Sequence, residues 1–204
     1  MTAVRAVVFD VGKVLVEWDP ERLYLDLIPD AAQRALFLRD VVTPEWHFQH
    51  DAGRPFAETS AELIAQFPHH RMLIEAWGPR FLDTIPDHVA GMPELVGELA
   101  AAGVPLFAIT NFSGEFWRPF VAREAALFAP FRDIVVSGDE RLTKPDAAIY
   151  RLALRRFGLA AGDGLFVDDR PENVRGAEAN GFVGHLFVDA ATLRRELVGR
   201  GLLQ

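Results

Sequence analysis

The chain has 204 residues, half of them apolar and a quarter charged, and 29 acidic against 21 basic residues leave a net charge of −8. This is enough apolar chain for a sizeable core and not the composition of a disordered protein. The acidic balance argues against broad binding to nucleic acid or an anionic membrane surface, while a local basic pocket for a small phosphate stays compatible with it. No cysteine occurs, which excludes disulfides and thiolate metal sites. The N-terminal apolar run carries Asp10 and reads as a strand rather than a signal peptide. No uncharged stretch approaches the ~20 residues of a membrane span. A cytoplasmic location is the expectation.

In chain order, the first predicted strand is VRAVVFD (4–10). From about Glu21 to Asp87 the patterning is helical, with no convincing strand, and Pro29, Pro44, Gly53-Arg54-Pro55 and Pro68 punctuate it. Strand candidates then recur at PLFAITN (105–111), DIVVSGD (133–139), GLFVDD (164–169) and GHLFVDA (184–190). Amphipathic stretches at 93–102, 114–127, 146–158, 171–180 and 193–202 separate or follow them. Continuous apolar strands alternating with helices of this length predict an α/β fold, a doubly wound parallel sheet covered on both faces. The helical segment interrupts that alternation directly after the first strand.

In an open parallel sheet, ligands bind beyond the carboxyl ends of the strands. The first candidate ends in Asp10, the second in Thr110-Asn111 and the fourth in Asp168-Asp169, while Lys144-Pro145 follows the third. Parallel neighbours would thus bring three carboxylates, a hydroxyl, an amide and an ammonium to one edge. Clustered carboxylates repel, and burial makes their ionisation harder. A divalent cation relieves both, and an oxygen-only donor set favours Mg²⁺ together with a substrate phosphate. Asp10 then becomes a nucleophile toward phosphorus, with Thr110 and Lys144 neutralising the phosphoryl oxygens.

Asp10 with Val14, Thr110-Asn111, Lys144-Pro145, and Asp168-Asp169 with Asn173 resemble the four ordered motifs of the haloacid dehalogenase superfamily. The resemblance implies a Rossmann-like core at residues 1–18 and 88–204 and a helical cap at 19–87. It further implies an aspartyl intermediate on Asp10. Metal ligation would fall to Asp10, the Gly12 carbonyl and Asp169, with Asp168 acting directly or through water. Substrate phosphate would meet Thr110, Asn111 and Lys144, and Asn173 would orient the acidic pair. The expected activity is Mg²⁺-dependent hydrolysis of a small phosphomonoester, a sugar phosphate being one candidate, by a monomer or homodimer.

One position departs from the family pattern. Its phosphatases usually carry a second aspartate two residues after the nucleophile, as general acid and base, and here Gly12 stands there. Such a group is worth on the order of 10²–10⁴ in rate. Glu17, His47, His50, Asp51 or water are the replacements the sequence offers. Two other readings compete: a 2-haloacid dehalogenase, which the paired Asp168-Asp169 disfavours, and a phosphate- or partner-binding scaffold without turnover. Lys13 is either solvated or a phosphate contact. Trp46, His47, His50, Asp51 and Arg54 concentrate polar and aromatic groups in the helical segment, although a Trp on such a helix is more often core. Arg170 and Arg175 read as surface residues, and His69-His70 as a solvated helix start.

Overall fold

The computed structural model describes residues 4–204. Five strands, β1 (Ala6–Phe9), β2 (Leu106–Thr110), β3 (Phe131–Val136), β4 (Gly164–Asp168) and β5 (Val183–Leu186), form one sheet in the order β3-β2-β1-β4-β5. Every pairing is parallel. Side chains alternate across the sheet, so β1 sends Val7 and Phe9 into one apolar layer and Ala6 and Val8 into the other. Helices Met92–Ala101, Gly114–Arg123 and Ala190–Gly199 cover the first layer through Leu99, Phe120 and Leu193. Helices Ala147–Phe157 and Pro171–Glu178 cover the second through Ile149, Tyr150 and Ala177. No helix among the described residues is long and apolar enough to cross a membrane.

The chain crosses from β3 to β4 over β1, so β1 is where the winding direction changes. Phe9 pairs with Val167 in register, and the Asp10 amide donates to the Val167 carbonyl at 2.8 Å. The residues that end β1 and β4 therefore emerge side by side.

Between β1 and β2 lie helices Glu21–Tyr24, Ala31–Asp40, Pro44–Asp51, Phe56–Gln66 and Arg71–Ala76. Local chemistry starts two of them. Asp30 accepts from the Gln33 amide, and Thr43 accepts from the Trp46 amide with Pro44 at the first helical position. The two connections joining this insertion to the sheet run alongside each other: Glu17 donates its amide to the Asp87 carbonyl at 2.9 Å, and Asp19 to Thr84 at 2.7 Å. An aromatic cluster ties the insertion to the helix after β2, with Phe81 stacked on Phe116 at 4.5 Å between ring centres. Trp46 belongs to this packing. It is buried, and its indole N–H donates to the Thr59 carbonyl.

Most expected elements shift by one to three residues at an end, and three changes have a local cause. The third strand runs over Phe131–Val136 instead of 133–139, because Ser137–Glu140 winds into a helical turn closed by Arg141 in the left-handed region at φ 55°. The fifth strand ends at Leu186, short of residue 190, where Asp189 instead caps the last helix through the Thr192 amide. The stretch 114–127 breaks at Glu124, which leaves helical geometry at ψ 26° and separates Gly114–Arg123 from Ala125–Phe128.

Candidate active site

Asp10, Lys144, Asp168 and Asp169 meet at the carboxyl edge of the sheet. Lys144 Nζ lies 2.7 Å from Asp10 Oδ2 and 2.7 Å from Asp168 Oδ2. Asp10 Oδ1 accepts the Val11 amide at 2.6 Å. Asp168 is further held by the Asn173 side-chain amide at 3.0 and 3.1 Å and by the Arg170 backbone amide at 2.9 Å. Tyr150 in turn donates its hydroxyl to the Asn173 backbone carbonyl at 2.8 Å, which holds the main chain at that residue.

Burial raises the pKa of Asp10, to about 7, and Lys144 opposes that while the Asp168 charge adds to it. Burial also pushes Asp168 up, but Lys144 and the amides outweigh it and hold the carboxyl below the ordinary range. Lys144 stays charged: desolvation lowers it, and the two carboxylates more than compensate. Asp169 is pushed up by burial and by Asp168. One buried cation thus serves two carboxylates while a third waits beside them.

The three carboxylates each offer an oxygen within 4.8 Å of the others. Ligands about 2.1 Å from an octahedral Mg²⁺ span about 4.2 Å across the ion, so these oxygens need move only a little to share one. Hard oxygen donors with no nitrogen or sulfur among them suit Mg²⁺.

A cavity of about 350 Å³ opens over this edge. Its floor includes Asp10, Gly12, Asn111, Lys144, Asp169 and Asn173, and the insertion and its connections contribute Val16, Trp18, Pro44, Phe48, Phe81 and Ile85. Lys13, His47, Asp51, Phe112 and Arg170 complete it. Gly12 faces open space: a Cβ built there meets no described atom within 4 Å.

Several expected site residues land differently. Thr110 ends β2 beside this edge and is buried, as Asp10, Lys144 and Asp168 also are. Asn111 lines the cavity, yet its side chain is engaged with the Lys144 backbone, accepting from the amide at 2.8 Å and donating to the carbonyl at 3.1 Å. It positions Lys144. Lys13 does reach the cavity, in the left-handed region at φ 60°, with Nζ 6.0 Å from the Trp18 ring centre. Arg170 also reaches it, though its side chain is mostly exposed and paired with Glu172. Arg54 is engaged with Glu62 and Gln49, and His50 with Thr59 Oγ1 at 2.6 Å. Glu17 is exposed and lines no part of the cavity.

Ser137 is a residue that sequence reasoning passed over. Its hydroxyl accepts the Phe112 amide at 2.9 Å and donates to the Asp51 carbonyl at 2.6 Å, bridging the loop after β2 to the insertion. A serine ending an apolar run carries no signal of this; only the packing reveals it. Ser137→Ala leaves two buried polar groups unpaired and is expected to cost about 1–3 kcal/mol. Urea unfolding measures this, and an unchanged midpoint would show that both groups find other partners.

Residues 4–181 match the model of the haloacid dehalogenase-like hydrolases. Sesquiterpene phosphatase astK of Aspergillus oryzae is 30% identical over 97% of this chain and 98% of its own length. Phosphoglycolate phosphatase of Yersinia pseudotuberculosis is 30% identical over 65% of this chain, a stretch amounting to 54% of that protein. Among solved structures, the magnesium complex of the HAD family enzyme bt-2542 from Bacteroides thetaiotaomicron superposes with a TM-score of 0.73 at 17% identity, covering 95% of this chain and 100% of that one. L-2-haloacid dehalogenase from Xanthobacter autotrophicus gives 0.65 at 19% identity, over 96% and 82%. At such identities the structural likeness speaks for the fold. The family match over most of the chain, with phosphatases among the relatives, shows that this protein belongs to the haloacid dehalogenase-like hydrolases.

Proposed function

We propose that this protein is a Mg²⁺-dependent phosphomonoesterase that works through a phosphoaspartyl intermediate on Asp10. The observation that carries the reading is the meeting of Asp10 and Asp169 with the Lys144-bridged Asp168 at the floor of a cavity. Asp10, Asp169 and the Gly12 carbonyl would hold the ion, with Asp168 beside them; when bound, the ion screens the carboxylates and draws charge from the phosphoryl oxygens. The Asp10 carboxylate attacks phosphorus opposite the departing alcohol oxygen. Lys144 neutralises charge on the phosphoryl group, and Lys13 and Arg170 add positive potential at the rim. Water then hydrolyses the acyl phosphate and restores Asp10. In this reading residues 19–87 act as the cap that excludes bulk water and selects the alcohol.

Beside the polar groups of the lining, its apolar wall supports an apolar alcohol over a sugar. Val16, Trp18, Pro44, Phe48, Phe81 and Ile85 offer no hydrogen-bond partners for hydroxyls except the Trp18 indole. The 30% identical relative named as a sesquiterpene phosphatase points the same way, a sesquiterpene skeleton being apolar. Phosphate release from a panel of prenyl, alkyl and sugar monophosphates tests both parts. Activity is expected with Mg²⁺, falling to background on chelation and returning on re-addition. The apolar esters should lead by roughly tenfold or more in kcat/KM, the worth of burying about two methylenes. Equal turnover of sugar phosphates would remove the apolar preference. Halide release from a 2-haloacid that survives chelation would replace the phosphatase reading with the dehalogenase one.

A further inference from the structure

Gly12 leaves the reaction without the usual proton carrier, and the cavity offers two titratable groups from the insertion to replace it, His47 and Asp51. His47 is sandwiched between Trp18 and Phe81, with ring centres at 5.2 and 5.8 Å. Burial drives its pKa down to about 3, so it holds no exchangeable second proton near neutrality. Asp51 differs. It ends helix Pro44–Asp51 and is 7% exposed, and its Oδ1 is buried without a hydrogen-bond partner among the described residues. Its Oδ2 is 3.6 Å from His47 Nε2, beyond a hydrogen bond. A buried carboxyl with one oxygen unpartnered is costly, and in the lining of a cavity that cost signals a task.

Two contacts hold Asp51 over the catalytic edge. Ser137 grips its carbonyl, and the turn that follows is pressed against the core: a Cβ at Gly53 would lie 2.7 Å from the Gly138 carbonyl oxygen. Only glycine allows that approach, and Gly53 also sits at φ 89°. The insertion is therefore locked to the sheet at the very segment that carries Asp51.

We infer that Asp51 is the general acid and base of this hydrolase, supplied from the insertion in place of the residue missing at position 12. The inference rests on the phosphatase reading above. In the first half-reaction the Asp10 oxygen bonds to phosphorus, the bond from phosphorus to the alcohol oxygen breaks, and the Asp51 proton goes to that oxygen. In the second, the Asp51 carboxylate takes a proton from water as the water oxygen bonds to phosphorus. The Asp10–phosphorus bond then breaks, and Asp51 ends protonated as it began. The groups acting on the carboxyl suit this cycle. Burial first, then the Asp10 charge, raises its pKa to about 8, against the Ser113 amide and Lys144, while His47 and His50 on its own helix stay neutral.

The test compares the Mg²⁺-loaded wild type with Asp51→Asn on two esters: an alkyl phosphate, whose alkoxide needs a proton to leave, and p-nitrophenyl phosphate, whose phenolate does not. The variant is expected to lose about 10²–10⁴ in kcat on the alkyl ester. On p-nitrophenyl phosphate it should show a burst of one nitrophenolate per site followed by slow turnover, because the acyl phosphate forms but waits for an unaided water. Asp51→Glu, which keeps the carboxyl, should recover part of the alkyl turnover. Unchanged alkyl turnover, an equal loss on both esters without a burst, or a Glu variant no better than Asn would each overturn the assignment. A wild type that releases no phosphate from any ester instead sinks the parent reading.

Discussion

Asp10→Asn is expected to lower phosphate release by about 10⁴-fold or more, the scale of losing a covalent nucleophile. The carboxamide cannot attack phosphorus, and no other carboxylate at the edge is free to replace it. Asp168 is held by Lys144, Asn173 and the Arg170 amide, and Asp169 lies across the cluster. Fold and activity separate cleanly here. Asn keeps an acceptor for the Val11 amide but sets an NH₂ against Lys144, a cost of about 1–3 kcal/mol. Against this, the buried charge disappears. In the metal-free wild type Asp10 has a folded pKa raised to about 7, so the native state binds its proton more tightly than the unfolded chain. Stability is therefore lost as pH rises from about 4 to 7, and the Asn variant lacks that slope. Thermal unfolding at pH 5 and pH 8 beside a steady-state assay checks both. An Asn variant within tenfold of wild type would remove Asp10 from the chemistry.

Lys144→Met should unfold the protein more readily and make it lean on magnesium. The ammonium is 1% exposed and bridges Asp10 and Asp168, with the Phe166 ring 5.5 Å away. Deleting it leaves two carboxylates facing each other out of water, a situation that costs about 3–5 kcal/mol. For a chain of this length that lowers Tm by roughly 10 °C. Both carboxyls then rise above their unfolded values, so the variant gains stability as pH falls toward 5. Added Mg²⁺ should raise the variant's Tm more than the wild type's, because the ion takes over the work of the missing cation. Equal shifts in the two proteins would mean that the carboxylates do not share an ion. A Tm unchanged by the substitution would mean that the bridge contributes nothing to folding.

The catalytic edge was legible because its signals are local. Each of the runs ending at Asp10, Thr110 and Asp168 is apolar until it meets the polar residue at its end, and parallel pairing brings such ends together. What the pattern missed depends on three-dimensional packing. Ile134, Val135 and Val136 marked the third strand, but the polar residues after them wind into a helical turn, so the strand starts and stops earlier than its apolar run suggested. The cavity wall draws Trp18, Phe48, Phe81 and Ile85 from four separated segments, and no periodicity links them. Four proton carriers were equally open in the sequence. Burial, stacking and hydrogen bonding divide them, and only the folded chain expresses those differences.

The adjacent tethers of the insertion have a consequence for how such a hydrolase changes its specificity. Asp19 and Thr84 are joined by a 2.7 Å hydrogen bond, so the segment between them leaves the sheet and returns at nearly one point. A graft of different size can enter at that seam with little added loop-closure entropy, and Asp10, Lys144, Asp168 and Asp169 all lie outside it. If the insertion selects the alcohol and Asp51 carries the proton, as proposed above, an insertion transplanted from another hydrolase would change substrate preference and proton donor together. On that reading, a recipient that brought no carboxyl of its own would be slow in both half-reactions on an alkyl ester, and would start quickly only on an ester whose alcohol leaves unaided.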